Sequence, residues 1–236
     1  SESCALQPVL NGSSTVKLPL CLGGHLGAEA VMMHPQYVGL DTELNESANV
    51  TLMVEPFRQV NVSIRNYLLR KGTSWELDTL NLVDQEADEE TIIQFERIGT
   101  ADDKQFSSFA VIKGDIFSRD SMSQDISLIP GTYRVIITGF KYASPAMKIP
   151  ARTSSVGAGL FGASESIDIP GLEFNVTNPF PTIGVEFDWE VTKADLDTHK
   201  NVELRGVKIA LDKVPEADRD IEDIELISTL DEYYLA

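Results

Sequence analysis

The stretch ISLIPGTYRVIITGF, residues 126–140, carries the clearest structural signal in the chain. Pro130-Gly131 supplies a turn, and the alternation beyond it puts Tyr133, Val135 and Ile137 on one face while Arg134 and Thr138 point the other way. A period of two is the signature of a strand with one buried face. The expectation is therefore a strand over Gly131–Gly139 with Tyr133, Val135 and Ile137 in a core.

The same pattern recurs on both sides, bounded by Gly, Pro and Asp, with almost no helical periodicity. It predicts strands at Thr15–Leu22, Val50–Glu55, Val60–Leu69, Ser74–Val83, Thr91–Arg97 and Ser107–Lys113. Beyond the central turn it predicts Glu173–Val176, Val185–Thr192, Val202–Asp212 and Ile224–Ser228. Many short strands separated by polar turns point to an all-β, antiparallel β-sandwich. A Pro-Gly turn feeding an alternating, Tyr-containing strand resembles a feature of many secreted sandwiches, including transthyretin-like and adhesin stalk domains. That resemblance implies an Ig-like or transthyretin-like Greek key. IDIPGLEFNV, residues 167–176, is a partial echo of the central turn, shifted by one position, and suggests an internal repeat.

Between the two turns runs KYASPAMKIPARTSSVGAGLFGASES, rich in Ala, Gly, Ser and Pro and nearly free of alternation. Such a stretch is a linker or a long loop. It divides the chain into an N-terminal sandwich (residues 1–145), a linker or loop (146–166) and an acidic C-terminal unit (167–236), one elaborated sandwich being the alternative.

At 42% hydrophobic and 24% charged residues the chain has the composition of a folded protein. Its net charge of −18 argues against nucleic acid as a partner, because a polyanion repels one. No apolar run is long enough to cross a bilayer as a helix. From Glu186 onward 15 Asp or Glu face 6 Lys or Arg, which is half the net charge. A solvated acidic surface is the plain reading; calcium or a basic partner are the others.

Five N-x-[ST] sequons occur, at Asn11, Asn45, Asn49, Asn61 and Asn175. Alternation puts Val60, Val62 and Ile64 inward and Asn61 outward. It does the same for Leu172, Phe174 and Val176 around Asn175. Polar residues also populate the solvent faces of strands, but five sequons favour an extracytoplasmic, secreted chain able to carry glycans. The two cysteines, Cys4 and Cys21, fit that setting. In STVKLPLCL, Cys21 falls opposite Val16, Leu18, Leu20 and Leu22, where Cys4 could meet it. A disulfide closing that loop contributes about 3 kcal/mol in the chain-entropy model.

No motif specifies a chemistry. The three histidines, His25, His34 and His199, form no HExxH, and neither cysteine sits at zinc spacing. GASES lacks the second glycine of a nucleophile elbow, and LGGHLG lacks the Lys-Ser/Thr of a phosphate loop. Glu186, Asp188 and Glu190 share the solvent face of one strand, opposite Val185, Phe187 and Trp189, and a cation would relieve their repulsion. Asp195 and Asp197 have a calcium-like i, i+2 spacing without the glycine and distal glutamate of an EF-hand. Trp75, at the start of a strand beside a turn, is the best candidate for stacking on a sugar.

The sequence therefore suggests a non-catalytic structural, adhesion or binding module of the cell surface, acting through sandwich surfaces and edges. Its partners would be another protein or copies of itself, the C-terminal IELISTLDEYYLA being a candidate donor strand. No cofactor is required, calcium being the one ion suggested. The other class is a carbohydrate-active enzyme or its sugar-binding accessory domain, for which carboxylates are never lacking.

Overall fold

A computed structural model describes residues 8–9, 12–18, 22–43, 47–99, 106–114, 123–142, 146–149, 151–158, 163–175, 179–215, 218, 219, 223, 226 and 230. The chain is nearly all β. The strands are β1 (Gly24–Ala28), β2 (Met33–His34), β3 (Gln36–Leu40), β4 (Glu55–Pro56), β5 (Arg58–Lys71), β6 (Trp75–Val83), β7 (Glu89–Arg97) and β8 (Ser107–Lys113). There follow β9 (Ser123–Leu128), β10 (Gly131–Lys141), β11 (Ala146–Ile149), β12 (Arg152–Ala158), β13 (Ala163–Ile169), β14 (Leu172–Asn175), β15 (Phe180–Val191) and β16 (Asn201–Ile209). A short helix, α1 (Lys193–Thr198), joins β15 to β16.

Eight strands form one curled sheet in the order β6-β5-β16-β15-β10-β7-β8, with β9 also on β5. The long β5 serves two partners along one edge, β9 over Arg58–Ser63 and β6 over Asn66–Lys71. Its other edge pairs with β16 in parallel, from Asn61↔Asn201 to Leu69↔Ile209. The sheet is thus mixed, where alternation alone suggested an antiparallel one. Period two gives faces and says nothing of direction.

The sheet curls around one core and can be followed in two parts. One is β15-β10-β7-β8 and the other is β16-β5 with β6 and β9. A single register pair, Ile183↔Lys208, joins β15 to β16. At the opposite seam β8 meets β9, where the Val111 amide donates to Gln124 Oε1 at 2.6 Å. The core includes Val60, Val62, Ile64, Ile93, Phe95, Val135, Ile137, Val185 and Leu204.

Residues 126–140 are central to this core. Tyr133, Val135 and Ile137 are fully buried, while Arg134 is exposed and Thr138 half-buried. The Tyr133 hydroxyl turns back four residues, donating to the Ile129 carbonyl at 2.7 Å and accepting the Ile129 amide at 3.2 Å. That bond fixes the β9–β10 corner. Gly131 takes φ +155°, a conformation that L side chains rarely adopt, and a Cβ there would also displace the Arg97 guanidinium, 2.6 Å away.

Three expected strands are not found at their described residues; of Ile224–Ser228 only Leu226 is described, and it lies in a tight helical turn. Residues 15–18, the described start of Thr15–Leu22, are irregular, and so are 50–54. Among the described residues neither has a partner strand; instead the Met53 amide donates to the Gln36 side chain. A strand needs a neighbour to satisfy its backbone, which alternation cannot supply.

The polar stretch after Lys141 forms a β ribbon. β11 pairs antiparallel with β14 over four residues, and β12 with β13 over seven, from Arg152↔Ile169 to Ala158↔Ala163. The chain leaves the main sheet at Lys141 and rejoins it at Phe180, where β15 pairs with β10 along nearly its whole length. That ladder joins strands from either side of residues 146–166.

Candidate functional site

The two ends of the core differ in chemistry, and one of them opens into a cleft. At the Tyr133 end, Phe106 touches Tyr133 edge-on at 6.3 Å between ring centroids. Phe57 lies 5.6 Å from Phe106, and His34 meets the same ring edge-on at 5.4 Å. Offset and edge-on pairs are the favoured aromatic geometries. Above them is a cavity of about 380 Å³. Its apolar wall includes Pro35, Met53, Pro56, Pro130 and Leu196, and its polar rim includes Arg58, Arg97, Lys193, Tyr37 and Glu55. Arg97 is paired with Glu55 at 3.3 Å and Arg58 with Asp197 at 3.1 Å. The cleft can hold an apolar side chain beside a polar backbone.

The α1 helix closes one side of this cleft, and its sequence explains why it forms. Thr192 caps it, accepting from the Asp195 amide at 3.1 Å, while the Asp195 carboxylate accepts from the Thr192 amide at 3.0 Å. This reciprocal capping box satisfies two otherwise orphaned donors. The Thr192 hydroxyl and amide hold Asp195 below the usual carboxylate range. Leu196 anchors the helix in the core.

The opposite end of the core is ionic. Lys208, on the inward face of β16, has a side chain only 2% exposed and lies 2.5 and 2.7 Å from the two carboxylate oxygens of Glu89 on β7. Glu89 is as deeply buried. Of its two oxygens, Oε1 makes a close charge contact without a well-directed hydrogen bond. Lys141, at the inner end of β10, binds Asp212 at 2.8 Å and also Glu86, which Lys213 reaches from outside. Burial would raise the Glu86 carboxyl, but hydrogen bonds from Lys141 and Lys213 overcome it and hold the group at about 2. Burial would likewise lower Lys141, and Asp212 and Glu86 together raise it above the usual lysine range. Close by the Lys208 backbone, on β5, Asn66 is fully buried, and among the described residues neither its Nδ2 nor its Oδ1 has a hydrogen-bond partner.

The residues singled out by sequence lie elsewhere and do not converge. Glu186, Asp188 and Glu190 do share the exposed face of β15, and Arg134 of β10 meets Glu186 there at 3.3 Å. Asp195 is spent on the helix cap and Asp197 on Arg58. Among the described residues, no group of three or more His, Cys, Asp or Glu is placed to hold a metal ion. Trp75 is half-buried against the core, its indole donating to Asp223 at 3.0 Å with the Lys71 ammonium over the ring at 5.8 Å. Asn49 is exposed, and Asn61 donates across the ladder to Asp125 at 2.8 Å. Asn11, Asn45, Cys4 and Cys21 lie outside the described residues, as does the side chain of Asn175. Of the C-terminal candidate strand, Leu226 and Leu230 pack against the core of their own chain.

Lys208, Glu89, Lys141 and Asn66 escaped the sequence reading, although a signal was present. Each continues an apolar parity: Val62, Ile64, Asn66; Leu204, Gly206, Lys208; Val135, Ile137, Gly139, Lys141; and Glu89, Thr91, Ile93. A charge at an inward position must be paired, and that is the sign to look for.

Comparison of the chain with protein-family models, curated proteins and solved structures returned no match.

Proposed function

We propose that this chain is a non-catalytic structural or adhesion module of the extracytoplasmic surface, built as a Greek-key type sandwich, and that it assembles with copies of itself through β edges. The ribbon of β11–β14 carries this reading. β10 and β15 are neighbours in the main sheet, and a turn of a few residues would join them. Some thirty residues go instead into a two-stranded ribbon. Among the described residues its strands ladder with one another and with no strand of the main sheet. A two-stranded ribbon has two open edges, which is the surface that strand addition uses.

Other features support parts of the reading. The Tyr133 hydroxyl bonded to the backbone of Ile129 has the form of the tyrosine corner found in Ig-type sandwiches. Asn49 leaves one sequon exposed, in keeping with a secreted chain, while Asn61 is half-buried and gives its amide to Asp125. The carbohydrate-active alternative draws less support. Among the described residues lining the large cleft, Glu55 is the one carboxylate, and Arg97 already holds it. Glycoside hydrolysis needs two facing carboxyl groups. The cleft instead suits an extended segment of a protein partner.

The test is to replace residues 147–174 by an Asn-Gly turn and follow mass in solution by sedimentation velocity over a wide concentration range. The full chain is expected to associate and the shortened chain to stay monomeric with unchanged thermal unfolding. A full chain that remains monomeric at the highest concentration would overturn the proposal, as would association that survives the deletion.

A further inference from the structure

The ionic end of the core holds three groups whose chemistry goes beyond an ion pair. β5 and β16 are the first and last strands of the main sheet in chain order, and they lie side by side in parallel. Asn66 stands opposite Gly206, and Lys208 is the next inward position along β16. The Asn66 carboxamide folds over Gly206 so closely that a Cβ there would lie 2.5 Å from Oδ1. Glycine at 206 is what admits the amide. The Lys208 amine, on its four-carbon stem, rests on Glu89 from the other part of the sheet. An amine paired with a carboxylate and an unpartnered carboxamide thus occupy neighbouring inward positions of β16 and β5, all of them buried.

We propose that Lys208 and Asn66 form an intramolecular isopeptide bond, with Glu89 as the proton carrier. An ammonium and a carboxylate sealed from water gain by passing a proton between them, since burial penalises both charges. The transfer leaves a neutral Lys208 amine, which is a nucleophile, and a protonated Glu89. Nζ attacks Cγ of Asn66, and the new C–N bond makes a tetrahedral centre. Glu89 hands its proton to Nδ2, the Cγ–Nδ2 bond breaks, and ammonia leaves. The second amine proton passes from Nζ to Glu89, which ends protonated beside the new amide, and the ammonia departs uncharged. One amide is exchanged for another, so no oxidant, reductant or activated donor is required. The amide product also removes a buried ion pair and an unpartnered carboxamide together, which gives the exchange its driving force. A bond at this place ties the first strand of the main sheet to the last.

Intact-mass measurement on the folded full-length protein tests the proposal, followed by proteolytic mapping. The native chain is expected to be lighter than its sequence by one ammonia, with a branched peptide containing both Asn66 and Lys208. Mapping is essential because Asn11-Gly12 can lose ammonia by succinimide formation at a different place. The Lys208→Arg, Asn66→Ala and Glu89→Gln chains are each expected to lack the branched peptide. Should a variant fail to fold, the native chain decides alone. Recovery of the Asn66 and Lys208 peptides unlinked from folded native protein would overturn the proposal and leave an ordinary buried ion pair beside a frustrated amide.

Discussion

β7 and β10 each run the length of the core, and along both strands the interior changes character. Near Tyr133 and Phe95 it is aromatic, held by shape and by one hydroxyl bonded back to the Ile129 backbone. Near Glu89 and Lys141 it is ionic, held by charges that reach inward from both parts of the sheet. Aromatic packing tolerates small changes, because its energy is spread over many weak contacts. The ionic end is less forgiving. Each buried charge there is tolerable only while its partner is in place. One end therefore fails gradually and the other by single residues.

The largest test of that contrast is removal of one ionic partner. Lys141→Ala strands the Asp212 carboxylate and is expected to cost about 3–5 kcal/mol, while the paired Lys141→Met/Asp212→Leu change, which leaves Glu86 to Lys213, should recover much of it. Urea denaturation of the three chains checks this, and a double variant as unstable as the single one would break the contrast. At the aromatic end, Tyr133→Ala empties a large core site and is expected to cost roughly 3–5 kcal/mol, with no single second-site change restoring it. A loss under about 1 kcal/mol would mean that the site collapses freely. Tyr133→Phe keeps the ring and removes only the hydroxyl, leaving the Ile129 amide and carbonyl unmatched in the core. Its expected cost is about 1–3 kcal/mol by thermal or chemical unfolding.

Acid should separate the two ends without mutation. Glu86 ordinarily titrates near 4.5 and is held at about 2, so its contribution is complete above 4.5 and disappears as the pH falls towards 2. Hydrogen exchange across that window should show Glu89–Thr91 and Phe140–Lys141 losing protection before the Ile129–Tyr133 corner. The reverse order would count against the assignment. Alkali is less selective. Burial pushes Tyr133 up to about 12 from 10.0, so the contribution of its neutral phenol is complete below 10 and lost as the pH rises through 12. Lys141, also raised, loses its contribution on the alkaline side as well. The smallest effect is expected outside the core. Arg134→Ala removes the exposed pair with Glu186 and should change stability by less than about 1 kcal/mol, with the remainder screened by salt.

Much of the fold was legible because a pleated strand shows its faces every second residue. Val60–Leu69, Thr91–Arg97 and Ser107–Lys113 lie inside or coincide with β5, β7 and β8. The ribbon was not legible: RTSSVGA and ASESIDI carry too few apolar residues to mark a buried face, and they pair through the backbone. The helix at Lys193–Thr198 was missed for a related reason. Its six residues are too short for a period of 3.6 to register, and its sign is the Thr192–Asp195 cap. The acidic residues of β15 were placed on the correct face, but the charge that answers them is Arg134, on a strand the spacing does not name.

By itself the sequence determined the all-β character and which side chains enter the core, because parity is a local property of the backbone. It put Lys208 and Asn66 at inward positions without saying what would meet them. Only the tertiary structure decided that β5 and β16 lie parallel and that Lys208 meets Glu89, 119 residues earlier in the chain. Such partners depend on the order and curl of the whole sheet. That order is set by which backbone edges find one another once the apolar faces are buried, a global balance that no local period records.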